Sequence, residues 1–380
     1  MSETPQHLTL VADLIKSVVA EQAPIVDASA QFPQASIDAF LKTPLAGLLI
    51  SKDLGGMGLG HRAAAEVVEQ LAQHCGSTAM IVCMHYAGSM VIEQLGSEAV
   101  RKEVVAGNHL STLAFSESGS RSQFWAPVSS ATKSGATKGG DEVELDAKKS
   151  WVTSANHATA YVWSSRPIAA EGPSTLWLVP RKSAGLAIGK GFDGLGLRGN
   201  DSTPVIANKV KVPAANMLGQ DGKGLDVMLG IVLPIFNLMT SAVALGFMEA
   251  ATQKSAAHAG ATSFEHDNSA LRELPTIRAY LSRMRVKTDM VRTLLWDTAT
   301  ALETSRADAT LRVLEIKAAA GETATEVCDL AMRVCGGAAF RRDVGVERIF
   351  RDARAGTVMA PTTDHLYDFI GKAITGMDVF

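Results

Sequence analysis

The residues best suited to chemistry gather near the C-terminal end, in the stretch RVCGGAAFRRDVGVERIFRDARAGTVMAPTTDHL. Gly336 and Gly337 remove two Cβ atoms between helical segments, so backbone there can approach a flat or phosphorylated group closely. A plain loop is the other reading of such a pair. An Arg/Asp-rich run then leads to an abrupt Ala-Pro-Thr-Thr-Asp turn, with Asp364 and His365 as its nearest titratable side chains. A carboxylate or imidazole at that turn suits proton transfer, and a helix cap is the plainer role for Asp364. His85 and Tyr86 lie midway along an apolar helical segment, either as a satisfied core pair or as a cavity wall. The nine His have no HExxH or HxH spacing and the four Cys no CxxC spacing. No metal centre is expected, and the cysteines read as reduced, buried thiols.

Three kinds of chain must position these groups. Residues 1–110 read as helical, with apolar positions at helical spacing in LVADLIKSVVAEQA and HRAAAEVVEQLAQHCG. STAMIVCMHYAGSMVIEQLG is apolar nearly all round and predicts a buried helix capped by Ser77. Residues 111–222 change texture to short β-branched and aromatic runs between Gly, Pro and Ser breaks, which predicts a small antiparallel β domain. Within it SATKSGATKGGD reads as a solvated hairpin loop. Residues 223–380 return to long helical patterns that suit a four-helix bundle, with Pro234 kinking the first helix or starting its second half. The last helix begins after Pro361. The fold class is therefore α+β.

Composition narrows the function. The chain has 380 residues, 47% apolar and 20% charged, enough for two or three domains with a large interior. A net charge of -3 with no Lys/Arg cluster excludes a nucleic-acid partner. The N-terminus lacks a charged-then-apolar leader, and no apolar run reaches spanning length, so a cytoplasmic protein without a membrane partner is expected.

Four motifs, in order, resemble the acyl-CoA dehydrogenase superfamily. They are Phe115–Ser122 (FSESGSRS), Ser150–Ala155 (SWVTSA), Leu195–Thr203 (LGLRGNDST), and the C-terminal set of Gly336-Gly337, Arg351-Asp352-Ala353 and Thr362. The resemblance implies helices, then β structure, then a helical bundle, with flavin bound between the last two. It also implies a homotetramer, a dimer of dimers. Ser116 stands where the family has Ser or Thr contacting the ring. Trp151 and Thr153 match its Trp-x-Thr/Ser, and Gly336, Gly337 and Thr362 match further cofactor contacts. The family's phosphate-side pattern is altered: Arg333 and Asp364 stand where Gln is usual, and Pro275 falls near a third such position. Arg333 and Arg272 remain as candidates for phosphate. FAD is the implied cofactor and FMN the alternative.

The resemblance also exposes a gap. The family's catalytic Glu aligns with Ala360, followed by Pro361, and the alternative position on the first bundle helix falls near Phe236 and Asn237. Alanine cannot accept a proton, and losing a general base typically costs about two to four orders of magnitude in rate. Either Asp364 or His365 replaces it, or the reaction needs no base. Ser122 matches the Ser that touches the CoA phosphate, yet Phe124 and Trp125 stand beside it, closing a CoA groove or lining an aromatic pocket. The leading expectation is a flavin-dependent monooxygenase, fed by a separate flavin reductase and hydroxylating a small aromatic substrate. Met359 and Ala360 would then line the substrate pocket, with His85 or His157 as the imidazole. The alternatives are an acyl-CoA dehydrogenase or related acyl-CoA oxidoreductase with a relocated or absent base, and a non-catalytic flavin-binding protein.

Overall fold

The computed structural model describes residues 4–137 and 140–379. Helices α1 (Gln6–Leu14), α2 (Ala20–Ser29), α3 (Gln34–Leu41), α4 (His61–Ala72), α5 (Gly76–Leu95) and α6 (Glu98–Val105) come first. The apolar helix α5 is buried on almost every face, as its composition requires. Ser77 does not cap it. Cys75 holds the cap position without a side-chain bond, and the Ser77 hydroxyl instead accepts the Gly199 N–H at 3.0 Å. A backbone amide from the β region outcompetes the helix's own first turn for that oxygen.

Seven strands follow: β1 (Ser111–Ala114), β2 (Ser130–Thr137), β3 (Gly140–Val152), β4 (Ala160–Ser165), β5 (Thr175–Pro180), β6 (Leu186–Ile188) and β7 (Thr203–Pro213). They form two sheets, of order β1-β4-β5 and β2-β3-β7-β6. Trp163, Trp177, Leu145 and Val205 from both sheets pack into one core between them. The expectation of an antiparallel domain needs one correction, because β1 and β4 pair in parallel, Ser111 opposite Ala160. The β2–β3 hairpin lies in the other sheet between them, so the chain re-enters the first sheet in its original direction. A second correction concerns SATKSGATKGGD. Its first part is edge strand β2, paired with β3 from Ser130–Asp146 to Thr137–Gly140, with an irregularity between Lys133 and Gly135. Main-chain pairing at a sheet edge does not need an apolar pattern. The tip, residues 138–139, lies outside the described residues.

The remaining chain is helical: α7 (Gly224–Val227), α8 (Leu233–Ala261), α9 (Pro275–Glu303), α10 (Ala309–Cys335), α11 (Val346–Ala353), α12 (Ala355–Val358) and α13 (Thr363–Thr375). A π-helical turn, Met228–Val232, joins α7 to α8, and Pro234 sits in the first turn of α8, where its missing N–H is harmless. The stretch Gly224–Ala261 is long and apolar enough to cross a membrane, a length the sequence reading did not pick out. Its apolarity serves the bundle core instead, since 72% of its most apolar window is buried within the molecule.

The Arg351-Asp352 pair clamps the three regions together. Arg351 binds Asp27 of α2 bidentately at 2.9 and 2.6 Å and the Leu195 carbonyl at 3.1 Å. Asp352, buried, accepts the Leu197 N–H at 2.6 Å. Burial pushes the Asp352 carboxyl up to about 6.

Candidate active site

The end of β1 runs on into Phe115 and Ser116, and the end of β3 carries Ser150 and Trp151. The Ser150 N–H donates to the Ser116 carbonyl at 2.9 Å, which sets the two segments side by side. Facing them are Phe236 and Leu233 of α8, Val232 before it, Met84 of α5, Leu113 of β1, Phe124, and the Ala360–Pro361 turn ahead of α13. Together these residues line a pocket of about 80 Å³. Beside it, Trp125 lines an open groove of about 790 Å³ that also takes in Arg166 and Glu171. Phe124 and Trp125 pack edge to face at 5.1 Å, so this pair stands between pocket and groove.

No carboxylate, imidazole or ammonium lines the pocket among the described residues; its polar side chains are the Ser116 and Ser150 hydroxyls and the Trp151 indole. Both places where a base was sought face this space or back onto it. Ala360 contributes its methyl and Phe236 its ring. Asn237 turns away, buried, and donates to the Val313 carbonyl at 3.2 Å. The pocket fits a small apolar group and offers no charged side chain among the described residues.

A flavin ring asks for a flat surface, nearby hydrogen-bonding groups and room for one face. The residues present fit that demand. Trp151 lies at a β3 bulge opposite β7, with φ +56°, and the bulge turns its indole outward. The indole stacks on Phe192 at 3.9 Å and remains 59% exposed beside Ser116. The buried Ser120 and Ser154 hydroxyls nearby in sequence have no partner among the described residues. At Gly336 and Gly337 a Cβ would meet only open space, and Phe340 just beyond is 84% exposed.

Behind the strand side of the pocket lies a buried ion pair. Lys149 Nζ binds Glu117 Oε1 at 2.6 Å, the Ser164 carbonyl at 2.7 Å and the Ser164 hydroxyl at 2.9 Å. Glu117 also accepts the Ser129 hydroxyl at 2.6 Å and the Val128 N–H at 2.8 Å. Burial works against the Glu117 carboxylate, yet the Lys149 charge and these bonds keep its pKa below the usual range. Glu117 directly follows Ser116 and Lys149 directly precedes Ser150, so the pair anchors both pocket-lining strand ends. The sequence reading missed both partners; their only signal was a Lys inside an apolar strand pattern. It also missed Lys317, a lone Lys on the apolar stripe of α10.

Of the residues singled out from sequence, Ser116, Trp151, Phe124 and Ala360 meet in the pocket and Trp125 lines the adjoining groove. His85 is corrected: it is a structural residue. Its Nε2–H donates to the Ala46 carbonyl at 2.9 Å and its Nδ1 accepts the Ser111 N–H at 3.2 Å, an assignment dictated by those partners. Fully buried, it is pushed down to about 4 and stays neutral. His157 stacks on Phe32 at 3.7 Å, on the exposed face of the β region. Asp364 is exposed in the first turn of α13, away from the pocket lining. His365 packs on Trp125 and Phe369 rather than on the pocket. Thr362 is the N-cap of α13, accepting the His365 N–H at 3.4 Å. Thr153 is buried, its carbonyl taking the Thr112 hydroxyl at 2.8 Å. Ser122 is half-buried outside the pocket lining, Met359 meets Lys317 through its carbonyl, and Arg333 pairs with Asp329 at 3.0 Å in solvent.

Known proteins agree with this architecture. Residues 3–107 match the model of the acyl-CoA dehydrogenase N-terminal domain and residues 222–375 that of the acyl-CoA dehydrogenase C-terminal domain. The chain is 27% identical to a probable acyl-CoA dehydrogenase, YngJ, of Bacillus subtilis, over 91% of this chain and 90% of that one. It is also 27% identical to the mitochondrial short-chain specific acyl-CoA dehydrogenase of Bos taurus, over 89% and 82%. The butyryl-CoA dehydrogenase structure from Megasphaera elsdenii superposes with a TM-score of 0.89 at 22% identity, covering 99% of this chain and all of that one. With both terminal domains matched and relatives spanning nearly the whole length, the chain belongs to the acyl-CoA dehydrogenase superfamily of flavoproteins.

Proposed function

We propose that this chain is an FAD-dependent oxidoreductase of small apolar acyl thioesters, one whose pocket keeps no carboxylate to take an α-proton. The observation that carries the reading is the pocket lining. Ala360 stands at the expected base position and Phe236 lies near the alternative one, while Ser116 and Trp151 line the side suited to a ring. Bound FAD would supply a two-electron acceptor. Ser116, Ser150 and Trp151 would hold it, the serines through hydroxyl and backbone groups and the indole by packing. Phe115, Phe124, Phe236 and Leu233 exclude water from the acyl group, and the open groove past Trp125 has room for the thioester's longer arm. The relatives named as acyl-CoA dehydrogenases support the substrate class. Acyl groups whose oxidation leans least on a strong base suit this pocket best.

The test is to reconstitute the protein with FAD and add butyryl-CoA without oxygen. A perturbed flavin spectrum with slow bleaching is expected. A spectrum indifferent to short acyl thioesters would overturn the reading.

The same carboxylate-free lining, with Pro361 directly after Ala360, favours a second reading, a monooxygenase served by a flavin reductase. Oxygen consumption driven by reduced flavin and a small aromatic substrate would move the assignment there. Our reading includes assembly of several copies, because Phe340, Val358 and Ile374 are 84%, 70% and 69% exposed in the single chain. Light scattering of the purified protein tests it.

A further inference from the structure

Lys317 lies on α10 with only 2% of its surface exposed, on the helix face that meets the Ala355–Pro361 segment. The close approach there comes from two glycines: a Cβ on Gly321, one turn along α10 from Lys317, would meet the backbone of Gly356 at 3.3 Å. Across that narrow gap Lys317 Nζ donates to the Met359 carbonyl at 2.9 Å and to the Pro361 carbonyl at 2.6 Å. Those two carbonyls bracket Ala360 and Pro361, both of which line the pocket. Among the described residues Lys317 makes no ion pair.

A buried amine without a carboxylate is a poor choice for stability, because desolvation is not offset by an ion pair. A methionine would fill the same volume at less cost to the fold. Only an amine, however, donates at once to the two carbonyls at either end of the Ala360–Pro361 pair. Fixing the peptide units before Ala360 and after Pro361 restrains the turn that carries the Ala360 Cβ. We propose that Lys317 is a positioning residue of the pocket, which holds the carbonyls of Met359 and Pro361 and so aims Ala360 at the bound acyl group. The proposal rests on the reading that this pocket takes the acyl group. Burial brings the Lys317 amine down to about 7. Its neutral form still has two N–H donors, so the hold survives loss of the proton.

The test separates positioning from stability. In Lys317→Met the melting temperature is expected to equal or exceed that of the parent. Amide exchange in peptides spanning residues 355–366 should accelerate about tenfold, with the rest of α10 unchanged. In FAD-loaded protein, the butyryl-CoA concentration that half-perturbs the flavin spectrum should rise by about tenfold. If Lys317→Met does not fold, Lys317→Arg, which keeps charge and donors, is used, and a threefold or so acceleration confined to the same peptides is expected. Unchanged exchange in the folded variant, or acceleration spread evenly over the protein, overturns the proposal. Failure of the parent's flavin spectrum to respond to butyryl-CoA would overturn the functional reading alone, since the exchange result does not depend on it.

Discussion

Behind the strand wall of the pocket the Lys149 amine meets a carboxylate, whereas behind the helical wall the Lys317 amine meets only carbonyls among the described residues. Both side chains are buried, and burial pulls both below the ordinary lysine range. At Lys149 the Glu117 charge opposes that pull, and Ser129 and Ser164 fill remaining hydrogen-bonding positions. The strand wall is thus a charge-balanced knot holding Ser116 and Ser150 in place. The helical wall carries an uncompensated group whose bonds serve one turn. The difference teaches that the strand side of this pocket is built into the fold's stability, while the helical side, where Ala360 and Pro361 stand, is held at the fold's expense.

The comparison is broken most directly at Ala360. Substituting Ala360→Glu restores an acid to the helical wall. Bleaching of bound flavin by butyryl-CoA in stopped flow should accelerate by about two to four orders of magnitude. No acceleration would mean that the turn does not face the reacting carbon. The strand wall is tested by Lys149→Met, which leaves Glu117 buried without its cation. Denaturant unfolding should show a loss of about 3–5 kcal/mol, and adding Glu117→Gln should return part of it.

Acid sharpens the contrast through two buried imidazoles that belong to neither wall. His85 is held down to about 4 by burial, and His109 to about 3 by burial and by His85. Both are neutral in the folded chain, while the unfolded chain binds protons near the usual value of about 6.5. The stability they contribute is full above that value and falls as the pH drops towards 4, on the order of 3 kcal/mol for each. Unfolding curves between pH 7 and 4 measure this against the opposite contribution of Asp352, whose raised carboxyl takes up a proton over the same range. A net loss is therefore expected, and a net gain would place both imidazoles in contact with solvent. The smallest effect belongs to Arg333→Ala, whose exposed pair with Asp329 should be worth no more than about 0.5 kcal/mol. If FAD affinity falls while stability holds, Arg333 serves the cofactor rather than the helix.

Much of the fold was legible in order and texture. The helical ends, the strand-rich centre and the motifs at Phe115–Ser122, Ser150–Ala155 and Leu195–Thr203 are all local or follow from spacing. Helical and strand periodicities report which face is buried, and that is enough to outline the layers. The errors lie where a partner distant in sequence decides. Ser77 was taken by Gly199, β2 found an edge to pair with, β4 returned parallel to β1, and His85 was satisfied by Ala46 and Ser111.

The sequence by itself determined the family, the layer order and the absence of a carboxylate at Ala360 and Phe236, because these depend on residue identity and spacing. Only the tertiary structure decided which side chains share the pocket, that Glu117 and Lys149 knot its strand wall, and that Lys317 reaches Met359 and Pro361. A buried polar group's role depends on what the folded chain brings within about 3 Å of it, and residue spacing does not encode that distance.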